Sequence, residues 1–150
     1  MPEIKQIWSI LCESSVIDQE TNNITLNNII EEIQISSKDK IVSNIGSKKL
    51  IPIKCELVSM FERSNAKDAI LVEAKVSLFD PDNKELVSKE PIIVPLKFEK
   101  GKERIRSRIK FSALPITLPG LYKFKLYFQE GKEKILVGET HFGVKLIISK

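Results

Sequence analysis

Between Arg104 and Phe128 the sequence reads RIRSRIKFSALPITLPGLYKFKLYF. Arg104, Arg106, Arg108 and Lys110 alternate with Ile105, Ser107, Ile109 and Phe111; after a loop, Tyr122, Phe124, Leu126 and Phe128 alternate with Leu121, Lys123, Lys125 and Tyr127. A period of two is that of a strand with one face buried, so the stretch predicts two strands rather than helices. The joint between them is Leu118-Pro119-Gly120, just before Tyr122. Proline fixes one turn dihedral there and glycine permits a positive one.

Pro119, Gly120 and Tyr122 together resemble the tyrosine corner of immunoglobulin-like and fibronectin type III sandwiches. In those folds a tyrosine at the start of a strand sends its hydroxyl back to the backbone of a connection that crosses between sheets. The plainer reading is an ordinary Pro-Gly turn followed by a large core residue. If the corner holds, the two strands lie in opposite sheets. Arg104, Arg106, Arg108 and Lys110 then stand on one outer face and Lys123 and Lys125 on the other.

Working outward, the other segments also read as strands. Ile4 to Glu13 carries Trp8, Ile10 and Cys12 on one side and Ile7, Ser9 and Leu11 on the other, as a strand covered on both faces does. Asp18 to Asn23 is a hairpin turn. Ile24 to Ile33 fits helix or strand by spacing, and its β-branched content favours strand. Ser36 to Lys49 is a polar excursion. A long strand is expected from Leu50 to Phe61, with a change of face at Leu57-Val58 that suggests a bulge or crowding on both sides. Ile70 to Leu78 is the cleanest alternation in the chain and predicts a central strand. Asp80-Pro81-Asp82-Asn83 turns it back. Pro91 and Pro95 place Glu85 to Phe98 at a sheet edge, because proline lacks a ladder donor. The last strand starts near Lys134. The expectation is an all-β, immunoglobulin-like sandwich of about eight mostly antiparallel strands, forming a single domain over residues 1–150.

The run IWSILCESSVIDQETNNITLNNIIEEI, from Ile7 to Ile33, and the closing PGLYKFKLYF also resemble a group of small uncharacterised bacterial proteins known only as a domain of unknown function. That resemblance implies a compact β-sandwich and supplies no functional residues.

Composition narrows the function classes. Lys and Arg number 24 and Asp and Glu 20, giving a net charge of +4, with the signs interspersed rather than blocked. Such a balance permits contact with nucleic acid or an acidic surface without requiring it. No apolar run suits a signal peptide or a membrane span, and Cys12 and Cys55 sit within apolar strand patterns, so a cytoplasmic protein with buried thiols is expected. A disulfide between them is disfavoured.

Chemistry finds little purchase. His141 is the one histidine, and alternation points it outward between Glu139 and Gly143, away from both cysteines. No zinc-ligand spacing and no phosphate-cradling glycine loop occurs. Asp80, Asp82 and Asn83 are too few oxygens for calcium and read as a polar turn. No catalytic residue, metal site or cofactor is expected.

The basic face of Arg104, Arg106, Arg108 and Lys110 repeats every 7 Å or so, near the spacing of phosphates in a nucleic-acid strand. It lacks interleaved aromatics, so a solvated face paired with glutamates of a neighbouring strand is the competing reading. The leading expectation is a non-enzymatic module that binds an unknown protein partner or itself. Its interface candidates are the outward apolar residues Ile135, Val137 and Ile147 of the last strand, with Val58 and Met60. Nucleic-acid or acidic-surface binding is the alternative.

Overall fold

In a computed structural model, residues 3–36, 50–86, 92–130 and 132–147 are described. Every regular element among them is a strand: β1 (Ile4–Ile17), β2 (Ile24–Ile29), β3 (Glu32–Ser36), β4 (Cys55–Arg63), β5 (Ile70–Phe79), β6 (Glu85–Leu86), β7 (Ile92–Phe98), β8 (Arg104–Phe111), β9 (Gly120–Glu130) and β10 (Glu133–Ile147). They form a four-stranded sheet, β2-β1-β4-β8, and a six-stranded one, β3-β10-β9-β5-β6, in which β7 also pairs with β5. All pairings are antiparallel except β3 with β10. Placing β1, β4 and β8 against β5, β9 and β10 is the arrangement of an immunoglobulin-like sandwich.

The inward side chains follow from alternation. Cys55, Leu57 and Phe61 of β4, Ala74, Val76 and Leu78 of β5, and Tyr122, Phe124, Leu126 and Phe128 of β9 share one apolar core with Phe142 and Val144 of β10. Phe142 lies between two aromatic neighbours, 5.3 Å from the Tyr122 ring and 5.5 Å from Phe124. Along one side the sheets are stitched by hydroxyls: Thr140 Oγ1 lies 2.6 Å from Ser9 Oγ, itself 2.8 Å from Ser59 Oγ.

The connection from β8 to β9 crosses between the sheets at Tyr122. Its hydroxyl accepts from the amides of Thr117 (3.0 Å) and Leu118 (3.1 Å) and donates to the Leu118 carbonyl at 2.7 Å. Gly120 adopts φ +136°, and a Cβ there would stand 2.7 Å from the Pro81 ring, so both conformation and contact require glycine. Ile51 and Leu114 exchange backbone hydrogen bonds of 2.8 and 2.9 Å and tie the corner to the approach to β4.

Several expectations need correction. There are ten strands among the described residues rather than about eight. The segment from Ile24 to Ile33 is strand, but it breaks at Ile30-Glu31 and changes sheet, because the Ile30 amide bonds Leu11 while the Glu31 carbonyl accepts from Gly143. The strand expected from Leu50 begins at Cys55; of the two readings offered for Leu57-Val58, crowding on both faces holds, since β4 keeps an unbroken register with β8 there. The bulges lie instead at Gln6/Trp8 in β1 and Leu136/Gly138 in β10. The polar excursion at 37–49 and Pro91 fall outside the described residues.

Candidate interaction surfaces

On the outer side of the four-stranded sheet, register sets up four rows across β1, β4 and β8: Lys5·Glu62·Arg104, Trp8·Met60·Arg106, Ile10·Val58·Arg108 and Cys12·Glu56·Lys110. Each cation of the basic face meets its own chain there. Arg104 Nε lies 2.9 Å from Glu62 Oε2. Arg106 Nη2 donates to the carbonyl of Asn22 at 3.0 Å. Arg108 donates from Nε to Ser15 Oγ (2.8 Å) and from Nη2 to the Ser15 carbonyl (3.1 Å). Lys110 Nζ stands 3.8 Å from Glu56.

These contacts place the β1–β2 hairpin over the sheet. Ser15 is five residues beyond Ile10, so a straight β1 would carry it roughly 16 Å past the Arg108 row. It touches Arg108 instead, and Asn22 at the turn touches Arg106, so the hairpin bends toward the outward side of the sheet, within reach of these two side chains. Beneath it Glu56 and Val58 are 6% and 0% exposed. The buried Glu56 carboxylate is matched by the Ser15 hydroxyl, which donates to it, and by Arg108 at 3.7 Å. A buried charge is tolerable only with such partners. Val58 is therefore no outward interface residue, and Met60 is half-buried beside it.

The outer side of the six-stranded sheet is built differently. Ile93, Lys75, Tyr127 and Leu136 form one row across β7, β5, β9 and β10. Leu136 is 48% exposed, Ile93 47%, and Leu71 nearby on β5 63%. Lys134 lies over the Tyr127 ring at 6.0 Å, and Lys75 is 4.0 Å from Glu85. The bulge in β10 decides which side chains belong here. It turns Leu136 outward beside Tyr127, puts Ile135 opposite Phe128 on the core side of the sheet's open end, and leaves Val137 half-buried against the core. The expected trio of Ile135, Val137 and Ile147 thus keeps only Ile147 on the outer side, with 38% exposure and at the far end beside β3.

The remaining titratable groups sit as follows. His141 Nε2 is 3.0 Å from Glu139 Oε2, at the rim of an open cleft of about 350 Å³ between β1 and β10 whose apolar wall is Ile10, Ile29 and Ile30. The hydrogen bond from His141 holds the Glu139 carboxyl below its usual range, and the charge of Lys125 adds to this. Asp80 Oδ1 accepts from the amides of Asp82 (2.9 Å) and Lys84 (2.8 Å), a turn-closing role. Among the described residues no three metal-ligating side chains converge. Both cysteines are buried and unpaired. Burial pushes the Cys12 thiol up, and pushes Cys55 to about 11 with the neighbouring Cys12 and Glu56 contributing.

Arg63 was not singled out by the sequence, where it falls in a turn-like run. It is 3% exposed and its guanidinium donates to the carbonyls of Lys102 (2.8 Å), Asp68 (2.5 Å) and Glu99 (2.9 Å) while covering the Phe98 ring. It binds the β4–β5 and β7–β8 loops together. The signal for it was parity: it occupies the inward series Cys55, Leu57, Ser59, Phe61.

No family model matches the chain, and no curated protein matches it. Among solved structures it is similar to a beta-glucosidase from Listeria innocua at 10% identity, covering 98% of this chain and 16% of that one, with a TM-score of 0.48. A b-glucosidase from Erythrobacter marinus aligns at 9% identity over 62% of this chain and 13% of its own, TM-score 0.41. An immunoglobulin-like protein from Pseudomonas aeruginosa aligns at 13% identity over 95% of this chain and 97% of its own, TM-score 0.39. The chain spans about a sixth of the first of these. The sandwich assignment rests on strand order, register and the Tyr122 corner.

Proposed function

We propose that the chain is a non-enzymatic interaction module that engages a protein partner, or a second copy of itself, through the outer side of the six-stranded sheet. One observation carries the reading: Leu71, Ile93 and Leu136 are about half exposed or more around the Ile93·Lys75·Tyr127·Leu136 row, whereas on the other sheet the outward Val58 is buried and Trp8, Ile10 and Met60 are half-buried. Neighbouring exposed apolar side chains on one face are what a docking surface offers. The state of the nucleophile candidates agrees with a binding role, since both thiols are buried with raised pKa values and His141 is engaged by Glu139. Two buried, unpaired cysteines also suit the reducing compartment expected from the sequence. The nucleic-acid alternative is weaker because Arg106 and Arg108 already have acceptors within the chain.

The test is light scattering over a concentration series for the native protein and for Leu136→Asp, with and without short oligonucleotides at low and moderate salt. A dimer that Leu136→Asp dissolves supports self-association through this face. A monomer that gains mass with oligonucleotide only at low salt overturns the reading and transfers binding to the β8 cations.

A further inference from the structure

We propose that the β1–β2 hairpin, from Glu13 to Ile29, is a strap that opens as a unit ahead of the rest of the fold, with the arginines of β8 setting its closure. Its attachment to the sheet is largely polar: the Asn22 carbonyl on Arg106, and the Ser15 hydroxyl and carbonyl on Arg108 and Glu56. None of its apolar side chains is fully buried: Val16 is 59% exposed and Ile29 56%, and Ile17, Ile24 and Leu26 are half-buried. Elements with few buried apolar contacts are those that open sub-globally. The closed state also carries a defect, because Arg106 Nε is buried without a hydrogen-bond partner. An unmet donor subtracts from closure.

The base of the strap is shaped for movement. Asn28 holds φ +52°, a left-handed conformation that asparagine tolerates, and its side chain donates to Glu13 at 2.7 Å across the hairpin's base. Beyond it the Ile30 amide anchors the chain to Leu11. The hairpin itself is cross-braced at its tip, where the Asp18 carboxylate accepts from the amides of Glu20 and Thr21, so it moves as one body. Opening uncovers Cys12, Val58 and Glu56 and releases Arg106 and Arg108 from the chain's own acceptors. The closed strap thus engages Arg106 and Arg108, while Arg104 and Lys110 stay exposed, and the two states differ in whether the inner pair of the basic face is available.

Cys12 reports the motion and Cys55 controls for it: the first is 0% exposed on the strap side of the sheet, the second 1% exposed in the sandwich core. The experiment is a pulse of N-ethylmaleimide on the native protein, with the label located by peptide mass, alongside amide exchange read segment by segment. The expected result is that Cys12 labels about tenfold or more faster than Cys55, and that residues 13–29 exchange before β4, β5 and β9. Arg108→Met should speed Cys12 by about tenfold, roughly the worth of a hydrogen bond to a charged group, and leave Cys55 unchanged. Equal labelling of the two cysteines, with residues 13–29 exchanging together with the core, overturns the proposal. The native-protein measurements decide it even where the variant does not fold.

Discussion

Replacing Tyr122 by Phe tests the corner on which the crossing between sheets depends. The ring is 0% exposed and stacks on Phe142 at 5.3 Å, and Phe keeps that packing. What goes is one hydroxyl that accepts from two amides and donates to one carbonyl. A typical hydrogen bond contributes about 1 kcal/mol net, and a buried donor left unmet costs about as much again or more. The three contacts share one oxygen and are not additive, so the loss should be about 2 kcal/mol. For a chain of this length that lowers Tm by about 4–8 °C. Urea unfolding followed by Trp8 fluorescence and by circular dichroism should show a lower midpoint with an unchanged slope, since the exposed surface does not change. A loss below about 0.5 kcal/mol would refute the argument, because it would mean that the Thr117 and Leu118 amides find water as readily as the hydroxyl.

Two further substitutions or conditions probe the parts that alternation alone did not reveal. Arg63→Leu removes three donors from the Lys102, Asp68 and Glu99 carbonyls and should cost about 3 kcal/mol, part of the bonding being recovered by hydration of the loops; Arg63→Lys should restore only a fraction, because an ammonium cannot fork to three acceptors. Native stability for Arg63→Lys in the same urea titration would contradict this. Cys55 titrates at about 11 in the folded state against 9.0 for an ordinary thiol, so its folded pKa is raised. Its contribution is complete below pH 9.0 and is lost as pH climbs toward 11, because the unfolded thiol ionises first. Stability measured from pH 8 to 11 should fall across that window in the native protein and fall less in Cys55→Ala; an identical pH slope in the two would show that the thiol is not the cause.

Much of the fold was legible because β5, β8 and β9 have a clean period of two, and because Pro119-Gly120-Tyr122 ties a recognisable turn to a buried aromatic. Parity was read correctly wherever a strand kept its register. It failed at β10, where the single extra residue at Val137 exchanges the faces of Ile135 and Leu136; a bulge leaves no mark in hydropathy when all the residues around it are apolar. The fold-over of the hairpin was illegible for a different reason. Ser15 and Asn22 are polar residues of ordinary strand and turn type, and what draws them onto β8 is a set of contacts to residues more than eighty positions away. Arg63 was hidden by composition, since a charged residue in a turn-like run looks solvated, although its place in the inward series of β4 pointed the other way.

The two outward faces answer the same physical problem in opposite ways, and that contrast supports the proposed binding surface. Each sheet alternates, so each leaves an outer set of side chains that includes apolar ones. The four-stranded sheet buries Val58 and Cys12 and turns Arg106 and Arg108 onto its own hairpin, while Arg104 and Lys110 stand largely in solvent beside Glu62 and Glu56. The six-stranded sheet has no such cover among its described residues over Leu71, Ile93 and Leu136; lysines stand beside them, with Lys134 over Tyr127 and Lys75 near Glu85. Burying three such side chains against a partner is worth several kcal/mol before the cost of association, at about 25 cal/mol per Å² of apolar surface removed from water. On the strap proposal, a matching gain on the other sheet is reduced by the energy of strap closure. On the proposed reading a partner meets the six-stranded face without displacing any described residue, while at Arg106 and Arg108 it competes with the chain's own contacts.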